Sequence, residues 1–137
     1  MRTLVLIVCS FLLFGCSEEG FLTSGRLAEN IAPDASLQYS GNFVPTAGIS
    51  VAGAAQIYFS EGSYKVQLTG FSISNGPDLK VYLSKSDVPN NFVNLGNLSS
   101  QTVYEIPNSV AVADYGYVLI HCQQYNHLFA VAALTQN

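Results

Sequence analysis

From residue 37 onward, apolar and polar positions alternate with a period of two. "AAQIYFS" sets Ile57 and Phe59 on one side, and "EG" at Glu61 and Gly62 offers a tight turn. "SYKVQL" then puts Tyr64, Val66 and Leu68 on one face and Lys65 and Gln67 on the other. This is the pattern of a β-hairpin with one wet face. "NGPD" at residues 75–78 reads as a turn, because Gly76 accepts unusual dihedrals and Pro77 fixes its own. It leads into "LKVYLS", where Leu79, Val81 and Leu83 alternate with Lys80, Tyr82 and Ser84. Shorter strands are expected at "GNFV", "GFSI", "FVNLG", "TVYEIP", "YVLIHC" and "HLFAVAAL". No segment sustains a helical period for three turns. The expectation is an all-β fold: a single compact β-sandwich or barrel-like domain of about eight to ten short, mostly antiparallel strands.

The chain before this domain follows a different pattern. "LVLIVCSFLLFG", residues 4–15, is an apolar run behind Arg2, too short to span a bilayer and right for the core of a signal peptide. "LFGC" places Leu13 three residues before Cys16 and the small Gly15 directly before it. It resembles the lipobox of bacterial lipoproteins, in which the cysteine is acylated and becomes the first residue of the mature chain. Ordinary secretory cleavage nearby is the alternative. Each acyl chain on Cys16 would contribute about 10 kcal/mol of membrane affinity. Ser17 resembles the outer-membrane sorting default of Gram-negative lipoproteins. The expected layout is a lipoprotein signal peptide at 1–15, a lipidated start and flexible tether at 16–36, and the β domain at 37–137. "SEEGFLTSGRLAENIAPDAS" suits a tether, being rich in small, acidic and turn-forming residues, although "GRLAENI" could form a short helix.

Charge narrows the partners. Arg2 leaves with the leader, so Arg26, Lys65, Lys80 and Lys85 stand against nine acidic residues. A nucleic-acid partner would call for the opposite sign. About 120 residues after Cys16 make one domain with a sizeable core.

Cysteine usage raises a sharper question. Cys9 lies in the leader and Cys16 would carry lipid, leaving Cys122 as the one free thiol of the mature chain. In an oxidising compartment such a residue is buried and inert, paired between molecules, or reactive.

Several segments together resemble one family: "GNFVP", "GAAQIYF", "GPDLKVYLS", "F..LG.L", "Q.VYEIP" and "Y.YVLIHC..Y...F..A.L", in this order over residues 37–134. They are similar to the DM-thirteen domain, a bacterial and animal extracellular module also called the electron-transfer DM domain. The resemblance implies a compact β fold and redox chemistry at a cysteine near the carboxy terminus, as a bare thiol or as a ligand to a prosthetic group. That cysteine falls on Cys122. Two departures stand out. The histidine common in the loop after the family's first strand is missing from "VPTAGISVAG", and the tryptophan common before the cysteine is here His121.

Strand geometry sorts the candidates. In an extended "YVLIHC", Val118, Ile120 and Cys122 share one face, while Leu119 and His121 share the other. His121 is therefore not expected to meet the sulfur, whereas His127, beyond "QQYN", could be folded back to either face. A histidine beside the thiol would lower its pKa from about 8.5; an apolar cage would raise it. Cys122 is thus either a redox thiol with His127 and His121 nearby, or a small buried hydrophobe. Copper at Cys122 would want two histidines and commonly a methionine, and no methionine follows Met1. Structural zinc lacks four ligands in tight pairs. Haem at Cys122 or His121 would lack the "CxxCH" attachment motif. A hydrolytic Cys122, His127 and Asn126 set is present in kind, but adjacent residues point apart. Asp78 and Asp114 suit turns and caps. The tyrosines could line a surface for a glycan, peptide or quinone, or be half-buried strand residues with wet hydroxyls. Two classes follow: a membrane-tethered redox accessory module with a redox protein partner, or a non-catalytic envelope binding module in which Cys122 is packing.

Overall fold

The computed structural model describes residues 31–137. The leader, Cys16 and most of the tether lie outside the described residues. Nine strands follow in order: β1 (Ser36–Pro45), β2 (Val51–Ser60), β3 (Ser63–Ile73), β4 (Leu79–Ser84), β5 (Phe92–Asn97), β6 (Val103–Ile106), β7 (Tyr117–Cys122), β8 (His127–Ala133) and β9 (Thr135–Gln136). One turn of 3-10 helix, Val112–Asp114, precedes β7. Among the described residues no helix is long and apolar enough to cross a membrane.

The strands form one antiparallel sheet in the order β5-β4-β7-β8-β1-β2-β3-β6. Its edges, β5 and β6, come together and nearly close a barrel. Tyr104 of β6 bridges this seam, its hydroxyl lying 3.2 Å from the Asn97 carbonyl and 3.0 Å from that of Gln101. A nearly closed sheet leaves little unpaired backbone for other chains to add to.

The period-two pattern is what builds this shell. Ile57, Val66, Leu68, Val81, Leu83, Val118 and Ile120 all point inward and are buried. Ala55, Ala130 and Ala132 supply the small positions that a narrow interior needs. Ser60 pairs with Ser63 around Glu61 (φ 50°) and Gly62 (φ 79°). Positive φ at both central residues is the two-residue hairpin turn whose twist matches the strands.

β9 continues the register of β8 along β1: Phe43 faces Ala132, and Ser40 faces Thr135. Between these pairs the chains come very close. A Cβ built on Gly41 would stand 2.0 Å from the Ala133 carbonyl oxygen. Glycine is required there by contact rather than by dihedral.

Two expectations need correction. "GNFV" is the second half of a ten-residue strand that begins at Ser36. "GFSI" is not a separate strand, because β3 runs through it across a bulge at Gly70 (φ 56°). The outer faces of β4 and β7 are covered, with Tyr82, Ser84, Leu119 and His121 pointing outward yet buried. Phe92 stacks on Tyr82 at 4.2 Å, and the loop after β4 folds back so that Ser84 Oγ donates to the Val88 carbonyl at 3.1 Å.

Candidate functional site

Cys122 is the last residue of β7 and faces the barrel interior with Val118 and Ile120; it is 1% exposed. It is the free cysteine among the described residues. Its neighbours across the ladder are Leu79 on β4 and His127 on β8. Directly opposed residues in an antiparallel pair project from the same face with Cβ atoms about 5 Å apart. His127 therefore shares the face of the thiol at the end of the barrel, with its ring in the solvent-exposed rim against Phe129 (5.0 Å between centroids).

A bulge produces this pairing. Ile120 faces Ala130, but His121 faces Leu128, so Phe129 is an extra residue on β8. With an unbroken register Leu128 would stand opposite Cys122. The bulge moves His127 there, which is the side-chain re-aiming that bulges allow. Thr46, just past β1, pins it: its amide donates to the Phe129 carbonyl at 2.9 Å and its hydroxyl to that of Leu128 at 2.6 Å. The far end of the turn is tied as well, with the Gln123 amide donating to the Asp78 carbonyl at 3.0 Å.

His121 lies on the outer face and is 4% exposed. Its Nε2 lies 3.1 Å from Asn126 Oδ1. A carboxamide oxygen only accepts, so Nε2 carries the proton. Nδ1 is then a buried acceptor with no hydrogen-bond partner among the described residues. The ring lies 5.4 Å from that of Tyr82 and opposite Lys80, whose ammonium pairs with Asp78 at 2.9 Å. Burial pushes the His121 pKa below its ordinary value; the Asn126 bond works against this, and the charge of His127 works with it.

Leu79, Phe129 and Gly76 pack together at this end of the barrel. A Cβ on Gly76 would come within 2.8 Å of Leu79 Cδ2 and 2.9 Å of Phe129 Cζ. Beside them lies an open cleft of about 400 Å³, lined by Ser74, Asn75, Asp78, Leu79, Asn97 and Ser99 among others. Leu79 borders both this cleft and the thiol.

The geometry decides between several ligand sets. Asn126 engages His121 and not His127, so Cys122, His127 and Asn126 do not form a nucleophile, base and orienter. Copper would need His121 and His127 on one side of the sulfur; they lie on opposite faces of β7 and β8. Among the described residues no group of three or more His, Cys, Asp or Glu could hold a metal ion. Asp78 serves the turn and Lys80, while Asp114 ends the short helix. Of the tyrosines, Tyr82 and Tyr104 are buried, and Tyr125, at the tip of the β7–β8 turn, is exposed. The roles of Thr46 and of the Phe129 bulge had no signature in the alternation. An asparagine closing the four-residue "QQYN" loop was a signal for a left-handed turn residue, and Asn126 has φ 47°.

No curated protein and no solved structure matches the chain. The family model described as Electron transfer DM13 matches residues 43–134, more than half of the chain and nearly the whole barrel, with Cys122 and His127 inside the match. The chain therefore belongs to the electron transfer DM13 family.

Proposed function

We propose that this protein is an electron-transfer accessory module of the cell envelope, anchored by lipid on Cys16, with Cys122 as its redox group and His127 as the group that takes and returns the thiol proton. The family supplies the electron-transfer class. The observation that carries the residue-level reading is the bulged register that puts His127 directly across from Cys122. The Gram-negative outer membrane is the proposed location, on the strength of the lipobox and Ser17 in the sequence.

A lone thiol passes electrons by exchange. His127 takes the Cys122 proton, and the thiolate attacks one sulfur of a disulfide on a redox partner protein. A mixed disulfide forms, and the other partner sulfur leaves as a thiolate that takes the proton from His127. A donor thiol, deprotonated in turn, attacks the Cys122 sulfur of the mixed disulfide and releases the second partner sulfur as a thiol. A second donor thiol then attacks the donor sulfur bound to Cys122, forming the donor disulfide and releasing the Cys122 thiolate, which recovers the proton. The net change is two donor thiols oxidised to a disulfide and the partner disulfide reduced to two thiols, one electron pair passing between them through Cys122.

The deep burial of Cys122 favours a second reading, an envelope binding module in which the thiol is packing. Alkylation of the folded chain from Ser17 onward, followed against pH by intact mass, separates the two. A redox thiol labels without denaturant, with a midpoint below the ~8.5 of a free thiol, and His127→Gln raises that midpoint. A packing thiol stays silent until the fold is melted. A prosthetic group would add mass before any reagent.

A further inference from the structure

The geometry points to His121 and Asn126 as positioning residues for the thiol: a clasp on the outer face of the barrel that holds the β7–β8 turn so that His127 stands opposite Cys122. This rests on the proposed pairing of Cys122 with His127 and adds what maintains it.

His121 sits on the wrong face to touch the sulfur, yet it is buried and spends its one ring N–H on Asn126. Asn126 is the residue immediately before His127 and is held at φ 47°. Fixing the backbone of Asn126 fixes the direction in which the next residue leaves the turn. Without the clasp the four-residue loop would be tied at Gln123, through Asp78, by the Asn126 amide donating to the Gln123 carbonyl at 3.3 Å, by the Cys122–His127 ladder pair, and at the Phe129 bulge, through Thr46. The clasp adds a side-chain tie at the residue directly before His127. A buried histidine with one unused nitrogen is a poor packing choice on an outer strand face. The bond to Asn126 is what it contributes there. The titratable groups around the clasp are Lys80 with its Asp78 partner, Tyr82 and His127; the groups across from Cys122 itself are His127 and the aliphatic Leu79.

The test uses the mature protein in detergent micelles with two readouts. One is the nuclear Overhauser contact between the His127 ring and the Cys122 β protons. The other is the pH midpoint of Cys122 alkylation. Asn126→Gly keeps the left-handed backbone and deletes the carboxamide; Asn126→Asp keeps the acceptor. Asn126→Gly should weaken the contact and slow labelling at pH 7 about tenfold, one unit of thiol pKa. Asn126→Asp should restore both, and Asn126→Gly should add nothing in a His127→Gln background. His121→Phe, which keeps a ring on the outer face and deletes the N–H given to Asn126, carries the same readouts if Asn126→Gly does not fold. An unchanged contact and midpoint in the variants overturn the clasp, whatever happens to the melting temperature. If the contact is lost in Asn126→Gly while the wild-type thiol is silent at every pH, the clasp stands and the redox reading falls.

Discussion

Leu79→Ala is the perturbation that bears most directly on how a buried thiol could exchange electrons. Leu79 is half-buried, faces Cys122 across the β4–β7 ladder and borders the cleft at the barrel end. Truncating a fully buried leucine costs 2–5 kcal/mol, and the partial exposure of Leu79 puts this site at the low end, about 2 kcal/mol. If Cys122 becomes reactive through local opening of the barrel end, its labelling rate is the intrinsic rate multiplied by the open population. Lowering the cost of opening by about 2 kcal/mol should then speed labelling roughly 30-fold. The assay is the time course of alkylation by intact mass at pH 7 in wild type and Leu79→Ala, beside a denaturant melt of each. A labelling change of less than about threefold, with global stability down by the expected ~2 kcal/mol, would rule out opening at Leu79 as the route to the thiol. Leu79 would then be a stability residue, and access to the thiol would run elsewhere.

Other predictions follow from the same contacts. Gly41→Ala drives a Cβ to 2.0 Å from the Ala133 carbonyl oxygen, which is backbone and cannot turn away, so a loss of about 3 kcal/mol or failure to fold is expected in a denaturant melt. Tyr104→Phe removes the hydroxyl that bridges the β5–β6 seam and should cost about 1 kcal/mol in the same melt. The Tyr104 pKa is raised, chiefly by burial. Its contribution is therefore complete below the unfolded value near 10 and is lost as pH rises through the folded value; stability followed above pH 10 should fall less steeply in Tyr104→Phe. The His121 pKa is lowered, chiefly by burial. Its contribution is complete above the unfolded value near 6.5 and is lost as pH falls through the folded value, so melts at decreasing pH should show an acid-side loss that His121→Gln removes.

Alternation was enough to read the β class, the inward residues and the Glu61–Gly62 turn, because strand faces and two-residue hairpins are set by neighbouring residues. What escaped it depends on residues far apart. The Phe129 bulge shifts the β7–β8 register by one, and nothing local in "HLFAVAAL" marks which residue is extra; the determinant is Thr46, some eighty positions away. The alternation rule correctly separates His121 from Cys122, but it cannot show that His121 reaches Asn126 around the turn. The burial of Tyr82 and Leu119 on the outer face likewise depends on Phe92 and on the cross-strand neighbours of β7 and β8. Gly70 inside β3 illustrates the opposite case: a glycine within an apolar run was a legible sign of a bulge, not of a break.

Exchange of electrons by Cys122 from within the folded barrel is read by equilibrating the native chain from Ser17 onward with glutathione buffers of graded potential and weighing the protein intact. A single glutathione adduct on Cys122 should form and reverse with the buffer while the barrel stays folded, and should form more slowly at neutral pH in His127→Gln. An adduct that appears only when denaturant opens the barrel would contradict it and leave Cys122 as part of the core.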